Sequence, residues 1–256
     1  YQLPRIGFFN DTERDAVKGA EVYGGIKAGF VSGQATEDIV AKSILGSSEL
    51  GSYLSPNQVL NYVEAHDNFN LHDLLAELHP DDDVLTRTKR IELATAMNLL
   101  MQGMAFMELG QEFSRTKLVA TGEDGQVLPS DRERAMNSYN APDAVNQVNW
   151  DILQDHQESI DFIKDIIRLK TSCKAFSYQT YEDIYKHVFV QSAEQGSGLI
   201  IFEIKDDKHY QVIFNASGLP YYLPNADKMR LLVGNSRHKK PFYVENLTVS
   251  VFEVIQ

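Results

Sequence analysis

Residues 59–68 read VLNYVEAHDN, an apolar run that stops on three polar residues, His66, Asp67 and Asn68. A short, mostly apolar run predicts a strand buried on both faces, as in parallel sheets covered by helices. Chemistry in α/β architectures gathers at the C-terminal ends of such strands, where loops vary without disturbing the layers beneath. The same letters also fit a plainer role. Asn68 or Asn70 is suited to cap a following helix, predicted over 69–78, by accepting the free N–H groups of its first turn.

Working outward, composition limits what the chain can be. Its 256 residues hold one large or two unequal domains; 43% hydrophobic and 23% charged residues describe an ordinary globular protein. A net charge of −12 argues against a nucleic-acid partner, since phosphate backbones are bound by clustered Lys and Arg. Cys173 is the single cysteine, which excludes an intramolecular disulfide and a thiolate metal site. No apolar run is long enough for a membrane span. The chain starts at Tyr1 without Met or a signal-peptide pattern, and the expectation is a piece cut from a longer protein.

In chain order, residues 6–9 predict a second buried strand, followed by a helix from Thr12 with Asp11 as its cap. Gly24, Gly25, Gly29 and Gly33 mark loop or turn, and 34–56 reads as a surface connection with a helix near 38–45. Asp81, Asp82 and Asp83 lack the alternating spacing of a calcium loop and suit the start of a helix, so no metal site is expected. That helix runs to about 102, with Leu93, Met97 and Leu100 on one face, and Gly103 ends it. Residues 104–109, MAFMEL, predict a third buried strand, with Met as core filler. The polar stretch 113–149 reads as a loop too long to be an idle connection.

Residues 157–171 predict an amphipathic helix with Ile160, Ile163 and Ile167 facing a sheet. Beyond it, 184–190, 199–204, 210–215, 229–233 and 247–254 predict short strands without intervening helices, hence an antiparallel sandwich. The expected boundary lies near 173–181.

The order of these elements resembles the C-terminal part of the α-amylase family, glycoside hydrolase family 13. Residues 61–68, NYVEAHDN, resemble the segment at the seventh strand of that family's barrel. Residues 103–117, GMAFMELGQEFSRTK, are similar to the eighth strand and its loop in debranching enzymes. Residues 6–19, IGFFNDTERDAVKG, resemble the sixth strand and helix of type I pullulanases, and 137–150, NSYNAPDAVNQVNW, the debranching-enzyme loop lining the subsite beyond the cleavage point.

The resemblance implies an α/β plus all-β chain: residues 1–175 as about strands 6 to 8 of a (β/α)8 TIM barrel, and 176–256 as a C-terminal β-sandwich. It implies a retaining hydrolase of α-1,6 branch linkages in pullulan, amylopectin or glycogen. Asp67 would be the third catalytic carboxylate, and His66 and Asn68 would bind the sugar. Asp143 matches a sugar-binding Asp, with Tyr139 and Arg115 as rim residues. The family has Arg four residues after that Asp, where this chain has Gln147.

Neither the nucleophile nor the general acid motif occurs here, so the chain alone is expected to be inactive. No organic cofactor is implied, although the parent enzyme has room for a structural calcium ion. The implied partners are an α-glucan and, for the open barrel edge, the missing N-terminal part of the barrel or a second copy of the chain. The implied location is extracellular or cell-surface. Two other readings fit the same residues: an isoamylase or glycogen-debranching enzyme, and a non-catalytic glucan-binding or structural module using Trp150, Tyr221 and Tyr222 as stacking surfaces.

Overall fold

The segment around Asn61 is the centre of a three-stranded parallel sheet in a computed structural model describing residues 5–22, 25–237 and 242–255. Its strands are β1 (Phe8–Phe9), β4 (Val59–Asn61) and β5 (Met104–Ala105), in the order β1-β4-β5. Phe8 lies opposite Val59, and Leu60 opposite Met104. All three expected strands exist, but they are much shorter than predicted and only the central one is buried. Phe8 is 45% and Phe9 51% exposed. An apolar run becomes a buried strand only where both faces are covered, and Phe9 is covered on one side alone, by Tyr62 and Phe106 with ring centroids 4.8 and 5.8 Å away.

Polar side chains tie the strand ends together. Asn10 Nδ2 donates to Ser47 Oγ at 2.8 Å and to Asn61 Oδ1 at 3.0 Å, and Asn61 Nδ2 donates to the Gln102 carbonyl at 2.9 Å. Asn10, Ser47 and Asn61 are fully buried, so the network satisfies groups that would otherwise be costly to enclose. Helix α1 (Asp11–Val17) is capped by Asn10, whose Oδ1 accepts the Glu13 N–H, rather than by the expected Asp11. Asp11 is spent elsewhere, on Tyr62.

Strands β2 (Gly19–Val22) and β3 (Gly25–Ala28) pair antiparallel, with Gly19 opposite Ala28. Gly25, expected in a loop or turn, thus opens a strand; Gly24 lies outside the described residues. Gly19 has φ +109°, and a Cβ there would sit 2.2 Å from the Lys27 carbonyl oxygen, so no other residue fits. Next come α2 (Glu37–Ile44), α3 (Leu71–Leu78) and α4 (Val84–Leu100), the last opened by Asp83 accepting the Thr86 N–H. The expected loop 113–149 contains two short helices, α5 (Pro129–Met136) and α6 (Asp143–Asn146). Pro129 and Asp131 in the first turn of α5 are start signals that the polar composition masked.

Helix α7 (Gln157–Ser172) is found where predicted, but its buried face is Phe162, Ile163 and Ile166, whereas Ile167 is 39% exposed. The expected strand 184–190 is mostly helix α8 (Tyr181–His187), begun by Thr180 Oγ1 accepting the Asp183 N–H, with strand β6 (Val188–Ser192) only after it. The capping signal Thr-x-x-Asp outweighs the β-branched residues there.

Strand β6 begins a five-stranded antiparallel sheet with β7 (Leu199–Lys205), β8 (His209–Asn215), β10 (Met229–Gly234) and β12 (Thr248–Val254), ordered β10-β12-β8-β7-β6. A two-stranded ribbon, β9 (Tyr221–Tyr222) with β11 (Tyr243–Val244), escaped the sequence reading. Alternation along β7 explains the layering. Ile200, Phe202 and Ile204 join the core shared with α4 and α7, while Ile201 joins Ile213, Leu223, Val244 and Phe252 beneath the ribbon. The fold is therefore mixed helix and sheet, with the antiparallel sheet sandwiched between helices and ribbon.

Candidate functional site

Past Asn61 the chain leaves the central strand and turns at Asn68, whose φ of +65° lies in the left-handed region that Asn tolerates. His66 and Asp67 point outward, their side chains 78% and 73% exposed and 3.5 Å apart at Nε2 and Oδ2. They open onto a cleft of about 310 Å3 shared with Phe9, Asp11, Arg14, Lys18, Tyr62 and Asn68.

The rest of the lining holds a polar cluster that the sequence analysis does not single out. Tyr62 O–H donates to Asp11 Oδ1 at 2.6 Å and accepts from Arg14 Nη1 at 2.6 Å. Arg14 is also held by Asp15 at 2.7 Å and lies 5.3 Å from the Tyr62 ring centre. Burial and the Asp11 carboxylate push the Tyr62 phenol well above its usual range, so it stays a neutral hydroxyl. The usable signal was Asn10-Asp11-x-x-Arg14-Asp15 after an apolar run, a charged cluster at a second strand end.

Buried ionisable side chains carry the loop from beneath. Neither Asn68 nor Asn70 caps α3; Glu64 Oε2 accepts the Leu71 N–H at 2.8 Å, and Asn70 Nδ2 donates to the Arg115 carbonyl at 3.1 Å. Glu13 Oε2 accepts the Tyr62 N–H at 3.1 Å. Lys18 Nζ donates to the Phe69 carbonyl at 2.8 Å, and Lys117 Nζ donates to the Asn68 and His66 carbonyls at 2.7 and 3.3 Å. Asp73 accepts the Lys117 N–H at 2.8 Å.

Burial pushes the Glu13 carboxyl up to about 8, against its bond from Tyr62, and Glu64 up to about 7, against its bond from Leu71 and the charge of Lys18. Both are raised above their unfolded values, so the folded chain binds more protons between about pH 4.5 and 8 and its stability falls as pH rises through that window. The urea midpoint should therefore fall between pH 5 and 8.5. Glu64→Gln should flatten part of that slope, and an unchanged profile would contradict the assignment.

The remaining expected site residues lie apart from this cleft. Tyr139, 76% exposed, lines a second cleft of about 390 Å3 with Arg134, Asn137, Asn140 and Pro142. Asp143 is exposed in the first turn of α6. Arg115 is buried and does not reach the His66–Asp67 cleft: its Nη2 donates to the Asn146 carbonyl at 2.6 Å and its Nη1 meets Glu108 at 3.3 Å, which pins α6 to the loop after β5. Among the described residues no cluster of three metal-ligating side chains occurs, and no helix is long and apolar enough to cross a membrane.

No family model matches the chain. A pullulanase of Bacillus subtilis (strain 168) is 33% identical over 245 residues, which is 90% of this chain and 32% of that protein. Among solved structures, a pullulanase from Anoxybacillus sp. LM18-11 complexed with maltotetraose superposes with a TM-score of 0.81 at 31% identity, over 98% of this chain and 35% of that one. Pullulanase type I from Bacillus subtilis str. 168, complexed with maltose, gives 0.79 at 29% identity, over 99% and 36%. The chain spans about a third of the length of these relatives. The sequence likeness runs through nearly the whole chain and is matched by the likeness in fold, and the chain belongs to the pullulanase family of glycoside hydrolases.

Proposed function

We propose that this chain supplies the third carboxylate and part of the glucan-binding surface of a retaining α-1,6-glucan hydrolase. The observation that carries the reading is the outward-facing His66–Asp67 pair in the loop that follows the central parallel strand, over a cleft walled by Tyr62, Arg14 and Phe9. Residues 1–175 are read as about strands 6 to 8 of a (β/α)8 barrel and 176–256 as its β-sandwich domain. Solved relatives complexed with maltotetraose and maltose support an α-glucan as the ligand. By the same family analogy the parent enzyme is extracellular or cell-surface.

Retaining hydrolysis needs a nucleophile and a general acid ~5 Å apart, with positive charge building on the sugar ring between them. The exposed Asp67 carboxylate is suited to hold ring hydroxyls through bonds that tighten as the oxocarbenium ion develops. His66 binds the same ring, the aromatic faces of Phe9 and Tyr62 give it an apolar floor, and Asn68 is a further donor. Asp143 and Tyr139 are assigned to more distant sugar units.

No counterpart of the nucleophile or acid motif occurs in these 256 residues. The purified chain should therefore release no reducing sugar from pullulan, and adding the preceding part of the polypeptide should restore release by pairing along the exposed β1 edge. Turnover by rigorously pure chain would refute this. The product profile of the complete polypeptide tests the linkage: maltotriose from pullulan supports α-1,6 cleavage of the pullulanase kind. Linear chains freed from glycogen or amylopectin, with none from pullulan, would support an isoamylase-type enzyme.

A further inference from the structure

Three carbonyls of the loop that carries Asp67 turn inward onto two buried ammonium groups. Lys18, 1% exposed at the C-terminal cap of α1, reaches the Phe69 carbonyl, and Lys117, 2% exposed, reaches those of Asn68 and His66. Enclosing an ammonium is expensive unless charge and acceptors meet it. Here Glu21 stands 3.9 Å from Lys18, while Asp73, fully buried, grips the Lys117 backbone. A loop needing only a covered backbone could be served by neutral donors. Two buried cations on three nearly consecutive carbonyls instead fix which way the peptide units face.

We propose that Lys18 and Lys117 form a clamp on the backbone of residues 66–69, acting as positioning residues that aim Asp67 into the cleft. Because the carbonyls are drawn inward, the His66 and Asp67 side chains are left facing solvent, with Asn68 in the left-handed turn that lets the chain re-enter the core. Lys117 Nζ also meets Ser138 Oγ at 3.2 Å, so the same ammonium holds the segment leading to Tyr139. One cation thereby sets the spacing between the loop carrying Asp67 and the loop carrying the outer glucan contacts. The inference rests on the role given to Asp67 above.

Lys117→Met keeps the aliphatic stem and removes the ammonium. In the complete polypeptide acting on pullulan it should lower kcat about 100-fold, the cost of roughly 1 Å of misplacement, with KM changed less than about twofold. In the 256-residue chain, amide exchange at 66–70 should quicken about tenfold while that of β7 and β8 is unchanged. If Lys117→Met does not fold, Lys117→Gln, which keeps an amide donor in similar volume, is read in its place. An unchanged kcat, or faster exchange spread evenly through the chain, would overturn the clamp. Wild-type polypeptide inert on every α-glucan would instead defeat the reading of Asp67, and exchange at 66–70 would still decide whether the lysines hold the loop.

Discussion

Asp67→Asn in the complete enzyme should lower kcat about a thousandfold while leaving Tm within about 1 °C of wild type. The size follows from the several kcal/mol that contacts strengthening only in the transition state contribute, at 1.36 kcal/mol per tenfold in rate. Stability should be untouched, because the Asp67 side chain is 73% exposed and, among the described residues, its ion-pair contact is with the equally exposed His66 at 3.5 Å; exposed pairs of this kind add little. KM should change less than kcat, since Asn keeps the shape and a hydrogen-bonding oxygen but loses the charge that, in the proposed role of Asp67, meets the oxocarbenium ion. A variant with near-normal kcat would remove Asp67 from the mechanism.

Lys170→Met should have the largest effect on stability, about 2 to 3 kcal/mol, or roughly 5–10 °C in Tm. Lys170 lies near the end of α7, and its Nζ donates to the carbonyls of Met101, Gly103 and Phe176 at 2.7, 3.0 and 3.1 Å. It thus ties the C-terminus of α4, the entry to β5 and the turn after α7 at one point, where hydrogen bonds from a charged donor count about double. Burial draws its pKa down to about 8. Between about pH 8 and 10 the unfolded chain then binds more protons, so stability contributed by Lys170 rises with pH there, a slope the Met variant lacks. Chemical denaturation at pH 7 and pH 9 checks both statements, and equal midpoints for wild type and variant would refute them.

Much of this architecture is legible without coordinates because it depends on local signals. The stop of an apolar run on HDN, the Asp83 start of α4, the amphipathic spacing of α7 and the β-rich character after residue 199 each follow from the periodicity of neighbouring residues. The misreadings share a cause. Residues 184–190 look like a strand by composition, yet a Thr180 cap makes 181–187 a helix. The Ile167 face of α7 is apolar, yet the core lies one residue back along the helix, under Phe162 and Ile166. In both, a signal of a few residues was weighed without the neighbour that decides between alternatives.

For the site, the sequence by itself determined the chemical types: a His–Asp pair at a strand end, and motifs carrying a family likeness through most of the chain. It could not determine which charged residues go inside. Lys18, Glu13, Glu64, Asp73 and Lys117 look like ordinary surface residues in one dimension, yet all five are buried beneath the loop, while Arg115, expected at the rim, is buried in a loop junction. Only the tertiary structure decides this. An ionisable group is tolerated inside only where partners from distant segments meet it or burial favours its neutral form, and that setting exists only when the chain has folded.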